Sequence, residues 1–380
     1  MCRKTFFIKT FGCQANKNDS ERLNRYFTDK GYQEITLYQK ADFIIINTCS
    51  IRKSAEDRAR GLLENIRKLN LKSKVIFTGC MMRLGKKKLK SIFPRVDQFW
   101  SIGKIDFNYQ PLRKDNNHIF VQISTGCNSF CTYCVVPYSR GREKSRPMQE
   151  ILTEIHDGVL IGATEVTLLG QNVNSYGLEK INIVQRKKIF NITKLDIGKI
   201  PDNQSQYFKV FGQTPFVQLI KQISKIPEIK KIRFLTSNPW DFHQDLINEI
   251  STNVKIDNFL HIPIQSGSNT VLKRMNRGYT REDYLTLIAN LKKVRKDLVF
   301  GTDIIVGFCG ETEAEFLETV SLVKQIGFVA GFVAMYSWRE GTLATKIYQD
   351  DISLKVKKHR WEILDKLINK DNLNIRPKIV

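Results

Sequence analysis

Cys127, Cys131 and Cys134 stand in the run Ser-Thr-Gly-Cys-Asn-Ser-Phe-Cys-Thr-Tyr-Cys, a C-x3-C-x2-C triplet. Three thiolates this close in sequence can wrap one metal centre. Structural zinc sites and ordinary [4Fe–4S] clusters take four protein ligands, so one position is left open. An open position on a metal centre suits a bound cofactor or substrate, and hence catalysis. Three more cysteines, Cys13, Cys49 and Cys80, recur about thirty residues apart, each shortly after an apolar run (Thr5–Ile8, Phe43–Ile46, Val75–Phe77). A single such cysteine reads best as a small buried hydrophobe. Three in the same register point to a second, equally incomplete metal site. Cys2 and Cys309 have no partner pattern and are read as non-ligands.

The elements that must position these thiols follow from periodicity. Each early apolar run reads as a strand leading to a cysteine and then a helix. In the first helix Asn18, Asp19 or Ser20 can serve as cap, Leu23, Tyr26 and Phe27 supply the apolar stripe, and Gly31 ends it. The second carries Ala55, Ala59, Leu62, Leu63 and Ile66. Strands separated by helices imply right-handed crossovers and a parallel sheet, with ligands at the carboxyl ends of the strands. The segment from Arg95 to Asn117 is polar and irregular and reads as a boundary. A new β/α series follows, with strands at Ile119–Ile123, Val166–Leu169, Ile232–Thr236, Phe259–Ile264, Val299–Val306 and Val329–Tyr336. Helices are expected around Ile151–Leu160, Phe216–Ile223, Arg281–Val294 and Glu313–Ile326. The fold class is α/β: an N-terminal parallel-sheet, Rossmann-like domain (1–115), then a partial (β/α)6 barrel (116–345). The barrel is interrupted by a polar insertion at about 176–214, and a charged helix (346–380) closes the chain.

Lys and Arg number 61 against 38 Asp and Glu, a net charge of +23. A surplus of this size fits a polyanionic partner, most simply nucleic acid, and equally fits a lysine-favouring codon bias. No apolar stretch is long enough for a signal peptide or a membrane span, so the reading is a cytoplasmic protein. Eight cysteines in a reducing compartment argue for metal or catalysis rather than disulfides.

The triplet, its place after the first barrel strand, and Tyr133 before its last cysteine resemble the radical S-adenosylmethionine superfamily. In that family, cysteines so spaced hold a [4Fe–4S] cluster whose open iron chelates S-adenosylmethionine, and one electron yields a 5′-deoxyadenosyl radical. Polar or glycine-rich turns at the strand ends fit the same resemblance. They are Gly170-Gln171-Asn172, the run around Ser237, the run beginning at Gln265, and the segment from Asp303; all are assigned to cofactor binding.

Phe11-Gly12-Cys13-Gln14, Asn47-Thr48-Cys49-Ser50-Ile51-Arg52 and Thr78-Gly79-Cys80 narrow the resemblance to the methylthiotransferase family. Cys134-Val135-Val136-Pro137-Tyr138-Ser139-Arg140-Gly141-Arg142 is similar to its tRNA-modifying branch. The resemblance implies a second [4Fe–4S] cluster on Cys13, Cys49 and Cys80 that supplies or relays sulfur. It also implies two S-adenosylmethionine molecules per turnover. The product would be a methylthio group on C2 of the isopentenylated adenosine beside the anticodon. The expected partners are tRNA and an electron donor protein of unknown identity, with the enzyme itself a monomer. Arg140, Arg142, Lys144 and Arg146, just past the triplet, are candidates for phosphate contact; a solvated charged loop is the plainer reading. The family usually carries a C-terminal TRAM domain, for which the chain has no room before Val380. Asn238 stands where histidine is common, and Cys309 and Leu343 where proline is common. Threonylcarbamoyl-adenosine in tRNA or a ribosomal-protein aspartate are alternative substrates. A non-catalytic zinc- or cluster-bearing RNA-binding protein and a degraded copy are the readings outside this chemistry.

Overall fold

Runs of buried branched residues build the first sheet. The computed structural model describes residues 3–50, 53–69, 72–104, 109–113, 117–179 and 213–372. Cys2, the pair Ile51-Arg52 and most of the expected insertion (180–212) lie outside the described residues. Strands β1 (Thr5–Thr10), β2 (Gln33–Glu34), β3 (Phe43–Thr48), β4 (Lys74–Gly79) and β5 (Gln98–Phe99) form a five-stranded parallel sheet in the order β2-β1-β3-β4-β5. Ile44, Ile45 and Ile46 are consecutive and all fully buried, as a strand covered on both faces requires. Because side chains alternate, Ile45 packs with Leu23 and Phe27 of the helix Gln14–Asp29. Ile44 and Ile46 pack with Ala55, Ala59, Leu63 and Ile66 of the helix Lys53–Lys68 on the other face.

One expectation is corrected here. The first helix begins at Gln14, with Cys13 as its N-cap residue and no side-chain cap bond. Asn18, Asp19 and Ser20 therefore lie inside the helix and are spent elsewhere. Asn18 Nδ2 donates to the Phe120 carbonyl, Asp19 accepts from Arg140, and Ser20 Oγ accepts from Thr10 and Asn47. The side chains that would otherwise cap are taken by these tertiary partners, and Asn18 Oδ1 accepts from Arg22.

The second series gives β6 (His118–Gln122), a short antiparallel pair β7 (Ser124–Thr125) and β8 (Lys144–Ser145), then β9 (Glu165–Leu169), β10 (Lys231–Phe234), β11 (Phe259–His261), β12 (Val299–Val306) and β13 (Ala330–Met335). Strands β6-β9-β10 and β11-β12-β13 are two parallel sheets. A parallel bridge between Ile232 and Ile256 joins them, with Ile232 N donating to the Lys255 carbonyl at 2.7 Å. The six strands thus run side by side in chain order as an open arc, coated by the helices Met148–Leu160, Pro215–Ser224, Gln244–Thr252, Arg281–Val294 and Glu313–Ile326. Thr280 and Thr312 begin the last two with complete capping boxes.

The helix Leu354–Asp365 and the π turn Lys366–Lys370 cover the outer edge of β13. There Asn369 exchanges hydrogen bonds with both backbone groups of Gly331, satisfying an edge that would otherwise be open. Between the two units, Glu154 is buried against Arg22, Arg113 and Arg146 at 2.6–3.0 Å. Among the described residues no helix is long and apolar enough to cross a membrane.

Candidate functional site

The dispersed thiols are gathered by strand register. Thr48 pairs with Gly79 across β3 and β4, so Cys49 and Cys80 leave adjacent strands at the same level. Thr10 pairs with Asn47, which brings the β1 end and Cys13 beside them. Gly79 has φ of +95°, and a Cβ there would fall 2.3 Å from the Thr48 carbonyl oxygen, so only glycine permits the turn into Cys80. Asn16 ties the set together: its Oδ1 accepts from the Cys13 thiol at 3.4 Å, and its Nδ2 donates to the Asn47 side chain and the Thr48 carbonyl. Burial pushes the Cys80 thiol up to about 11; Arg140 opposes this, and neighbouring Cys49 and Cys13 add to it.

The local triplet sits on the loop after β7. Gly126 has φ of +73° and its Cα lies against the Arg142 carbonyl, where a Cβ would come within 2.1 Å. Phe130 also adopts a positive φ, 46°. Polar hydrogens point at the sulfurs. Asn172 Nδ2 donates to Cys127 Sγ at 3.2 Å, Arg277 Nη1 to Cys131 Sγ at 3.1 Å, and Val136 N to Cys134 Sγ at 3.5 Å. Burial pushes the Cys127 thiol up to about 11 and the Cys134 thiol higher, with Cys131 adding to both. Donors of this kind favour thiolate over thiol, the form that binds iron.

Both triplets meet at one cavity of about 370 Å³. Its wall includes Cys13 and Cys49 from one unit and Cys127, Cys131 and Cys134 from the other; Cys80, 1% exposed, lies behind it. Tyr133, Gly170, Gln171, Asn172, Ser237, Gln265 and Asp303 all line it, as does Asn238. Ser237 Oγ and both amide atoms of Asn238 are buried with no hydrogen-bond partner among the described residues. Such groups are costly unless a ligand satisfies them. Gly170 leaves no room for a side chain, since a Cβ would lie 2.6 Å from Ser124 Oγ. Thr236 and Gln265 hold φ of 61° and 72°. Strained backbone of this kind collects at functional sites. Asp303 Oδ1 is 3.0 Å from His261 Nε2. Leu169, Leu235, Ile304, Ile305, Val135 and Phe332 supply apolar wall that excludes water.

The donor sets fit iron–sulfur clusters. Each set is three thiols; amide, guanidinium and backbone N–H groups donate to the local set, and the charge of Arg140 acts on Cys80 of the dispersed set. Among the described residues no group of three or more His, Cys, Asp or Glu forms a site for a metal ion. A four-iron cluster is a larger body that takes one thiolate on each of several irons.

Two sequence assignments are corrected. Arg146 is 4% exposed, and its Nη1 donates to Glu154 and to the Gln122 carbonyl. Arg140 turns inward to Asp19, its side chain 1% exposed. Neither faces solvent, so neither is available to RNA phosphate: each buried guanidinium is already paired with a carboxylate of the chain. Arg142 and Lys144 are exposed, with the Arg142 guanidinium 4.3 Å from the Phe130 ring centroid. Cys309 is buried with Phe308 and Tyr336 and is not part of the cavity wall.

Residues 5–101 match the model of the Uncharacterized protein family UPF0004, and residues 121–323 match that of the Radical SAM superfamily. A tRNA-2-methylthio-N(6)-dimethylallyladenosine synthase of Thermosipho africanus (strain TCF52B) is 38% identical over 396 residues, spanning 96% of this chain and 84% of that protein. The chain belongs to the radical S-adenosylmethionine methylthiotransferase family. It is therefore an enzyme of the transferase kind. A synthase of the same name from Clostridium novyi (strain NT) is 37% identical, spanning 96% of this chain and 81% of that protein. Among solved structures, the radical S-adenosylmethionine methyltransferase TsrM from Kitasatospora setae superposes with a TM-score of 0.55 at 11% identity, over 90% of this chain and 77% of TsrM. The cobalamin-dependent radical enzyme OxsB gives 0.54 at 11% identity, over 96% of this chain and 56% of OxsB. These two likenesses concern the fold.

Arg277 and His261 are site residues that the sequence did not mark as such. Arg277 follows the helix Asn269–Arg274 in a turn, and His261 ends β11. Each is a lone residue with no spacing partner. The one available signal was position, since His261 ends a strand whose carboxyl end belongs to the active face.

Proposed function

We propose that this methylthiotransferase adds a methylthio group to C2 of N6-dimethylallyladenosine beside the anticodon of tRNA, in the cytoplasm, with reducing equivalents from an electron donor protein. The observation that carries the reading is the single cavity walled by thiols of both triplets. Cys127, Cys131 and Cys134 would hold one [4Fe–4S] cluster, and Cys13, Cys49 and Cys80 a second. Bound there, the clusters and S-adenosylmethionine supply one-electron chemistry and sulfur, which an unactivated aromatic C–H requires because it offers no acid–base route.

The residues of the chain do the rest. Asn172 and Arg277 orient and polarise the sulfurs of the local triplet. Gly170 lets the backbone approach the cofactor, while Gln171, Ser237, Gln265 and Asp303 present donors and acceptors to its polar end. Tyr133 packs beside the last cysteine. The apolar wall keeps water from the reacting atoms. Arg142, Lys144 and the +23 net charge supply attraction to the RNA backbone, an affinity that falls steeply with salt.

Anaerobic reconstitution with iron and sulfide tests this reading. About eight irons per chain, from two four-iron clusters, and 5′-deoxyadenosine on adding reductant and S-adenosylmethionine are expected. Zinc, or four irons with no cofactor cleavage, would overturn it. Mass spectrometry of nucleosides from tRNA incubated with the enzyme then names the substrate; a product on threonylcarbamoyl-adenosine instead would reassign it.

A further inference from the structure

The loop that carries the local triplet also reaches the dispersed one, through Arg140. Its guanidinium crosses to the first unit, where Nη2 donates to Asp19 Oδ2 at 2.7 Å and to Asn16 Oδ1 at 3.4 Å. Asn16 is the residue that also accepts from the Cys13 thiol. The other two nitrogens, Nε and Nη1, are buried and have no hydrogen-bond partner among the described residues. Burial opposes the charge of this group, and Asp19, Cys80 and Cys13 favour it, in that order. Arg140 is likewise the strongest charge acting on Cys80. A fully buried cation with unpaired N–H groups is expensive, and natural proteins keep one where a ligand completes it. Asn16 Oδ1 is shared between this guanidinium and the Cys13 thiol.

We propose that Arg140 recognises anionic sulfur at the Cys13–Cys49–Cys80 site, with Nε and Nη1 donating to sulfur of the bound cluster or to a sulfur species carried on it. The inference rests on the two-cluster reading above. Asp19 and Asn16 hold the guanidinium through Nη2, which leaves Nε and Nη1 for a ligand. Arginine suits the task because its guanidinium stays charged when buried and still has N–H donors on two nitrogens once Nη2 is held. Hydrogen bonds and positive charge at cluster sulfur make the cluster easier to reduce. Arg140 is thus a positioning and electrostatic residue of the sulfur site, supplied by the domain that generates the radical.

The test uses the full chain with Cys127, Cys131 and Cys134 replaced by Ala, so that only the second site can load. After reconstitution, about four irons are expected; if that protein binds none, the two-cluster reading fails, independently of Arg140. In the loaded protein, R140Q is expected to lower the midpoint potential by about a tenfold change in the reduction equilibrium, ~59 mV for a one-electron couple, with R140K recovering part of it. Full iron with an unchanged potential overturns the proposal. Should R140Q bind no iron, the apo-proteins decide. Unchanged melting together with recovery of iron in R140K supports the sulfur role. Lowered melting, or no recovery in R140K, assigns Arg140 to the fold alone. A salt dependence of tRNA binding shallower by about one in R140Q would assign it to phosphate and overturn the proposal as well.

Discussion

The two thiol triplets are built in opposite ways. Cys127, Cys131 and Cys134 share one loop, bent by Gly126 and Phe130 at positive φ, and other segments add only donors, Asn172 and Arg277. Cys13, Cys49 and Cys80 come from three strand ends and meet only because β1, β3 and β4 are neighbours in register. Parallel strands lie about 4.8 Å apart, so equal-level residues on β3 and β4 are brought close by backbone pairing before any side chain acts. A local site can form wherever its loop folds. A dispersed site reports on a whole sheet. The junction that seats one against the other is a third structure, the buried Glu154 with its three arginines.

The sharpest break of this comparison is chemical. Cys131→Ala is expected to abolish cleavage of S-adenosylmethionine, with no detectable 5′-deoxyadenosine. Cys49→Ala is expected to keep that cleavage and lose methylthiolation, with iron falling from about eight to four per chain. Product analysis of both variants by mass spectrometry checks the asymmetry. Equal loss of cleavage in both would mean that the two sites do not act separately.

Next in size is the junction. Glu154 accepts from Arg22, Arg113 and Arg146 and is 1% exposed, its carboxyl held below the usual range because three guanidiniums outweigh its burial. Glu154→Ala leaves three buried cations facing one another and is expected to cost about 3–5 kcal/mol in denaturant melts. The residues involved explain what could be read from sequence. Apolar runs such as Ile44–Ile46 and the recurring cysteines announced β1, β3, β4 and the six-strand arc. The two-residue edge strands β2 and β5 carry no pattern to announce them. Arg140 and Arg146 look like any basic loop in sequence, because burial of a charge depends on a partner far along the chain: Asp19 for one, Glu154 for the other. The cavity wall was legible where glycine and amide residues follow strands, as at Gly170–Asn172. It was not legible at Arg277, whose role comes from a turn folding back on Cys131.

Two glycine substitutions sharpen the contrast between local and dispersed assembly. Gly79→Ala forces a Cβ to 2.3 Å from the Thr48 carbonyl oxygen, and Gly126→Ala to 2.1 Å from that of Arg142, both at positive φ. Each is expected to cost about 2–4 kcal/mol from strain and overpacking. The site affected should differ. Gly79→Ala should deplete iron at the dispersed site and spare cofactor cleavage, while Gly126→Ala should do the reverse. Iron counts and 5′-deoxyadenosine yield, read together, distinguish them.

The smallest effect probes the junction through pH. Glu21 lies beside Glu154, Arg22 and Arg113, and its carboxyl is pushed up to about 7 by burial first, with Arg113 opposing and Glu154 adding to the rise. One Glu21 carboxylate oxygen is buried with no hydrogen-bond partner among the described residues. A folded-state value above the unfolded one means that the folded protein holds the extra proton more tightly. Stability from this group is therefore full below the ordinary range near 4.5 and is lost as pH rises through about 7. Glu21→Gln removes the titration and is expected to stabilise the protein by about 1–3 kcal/mol at pH 8, with little effect at pH 4. Urea midpoints at the two pH values check it. An equal shift at both would show that Glu21 acts through packing rather than through its charge.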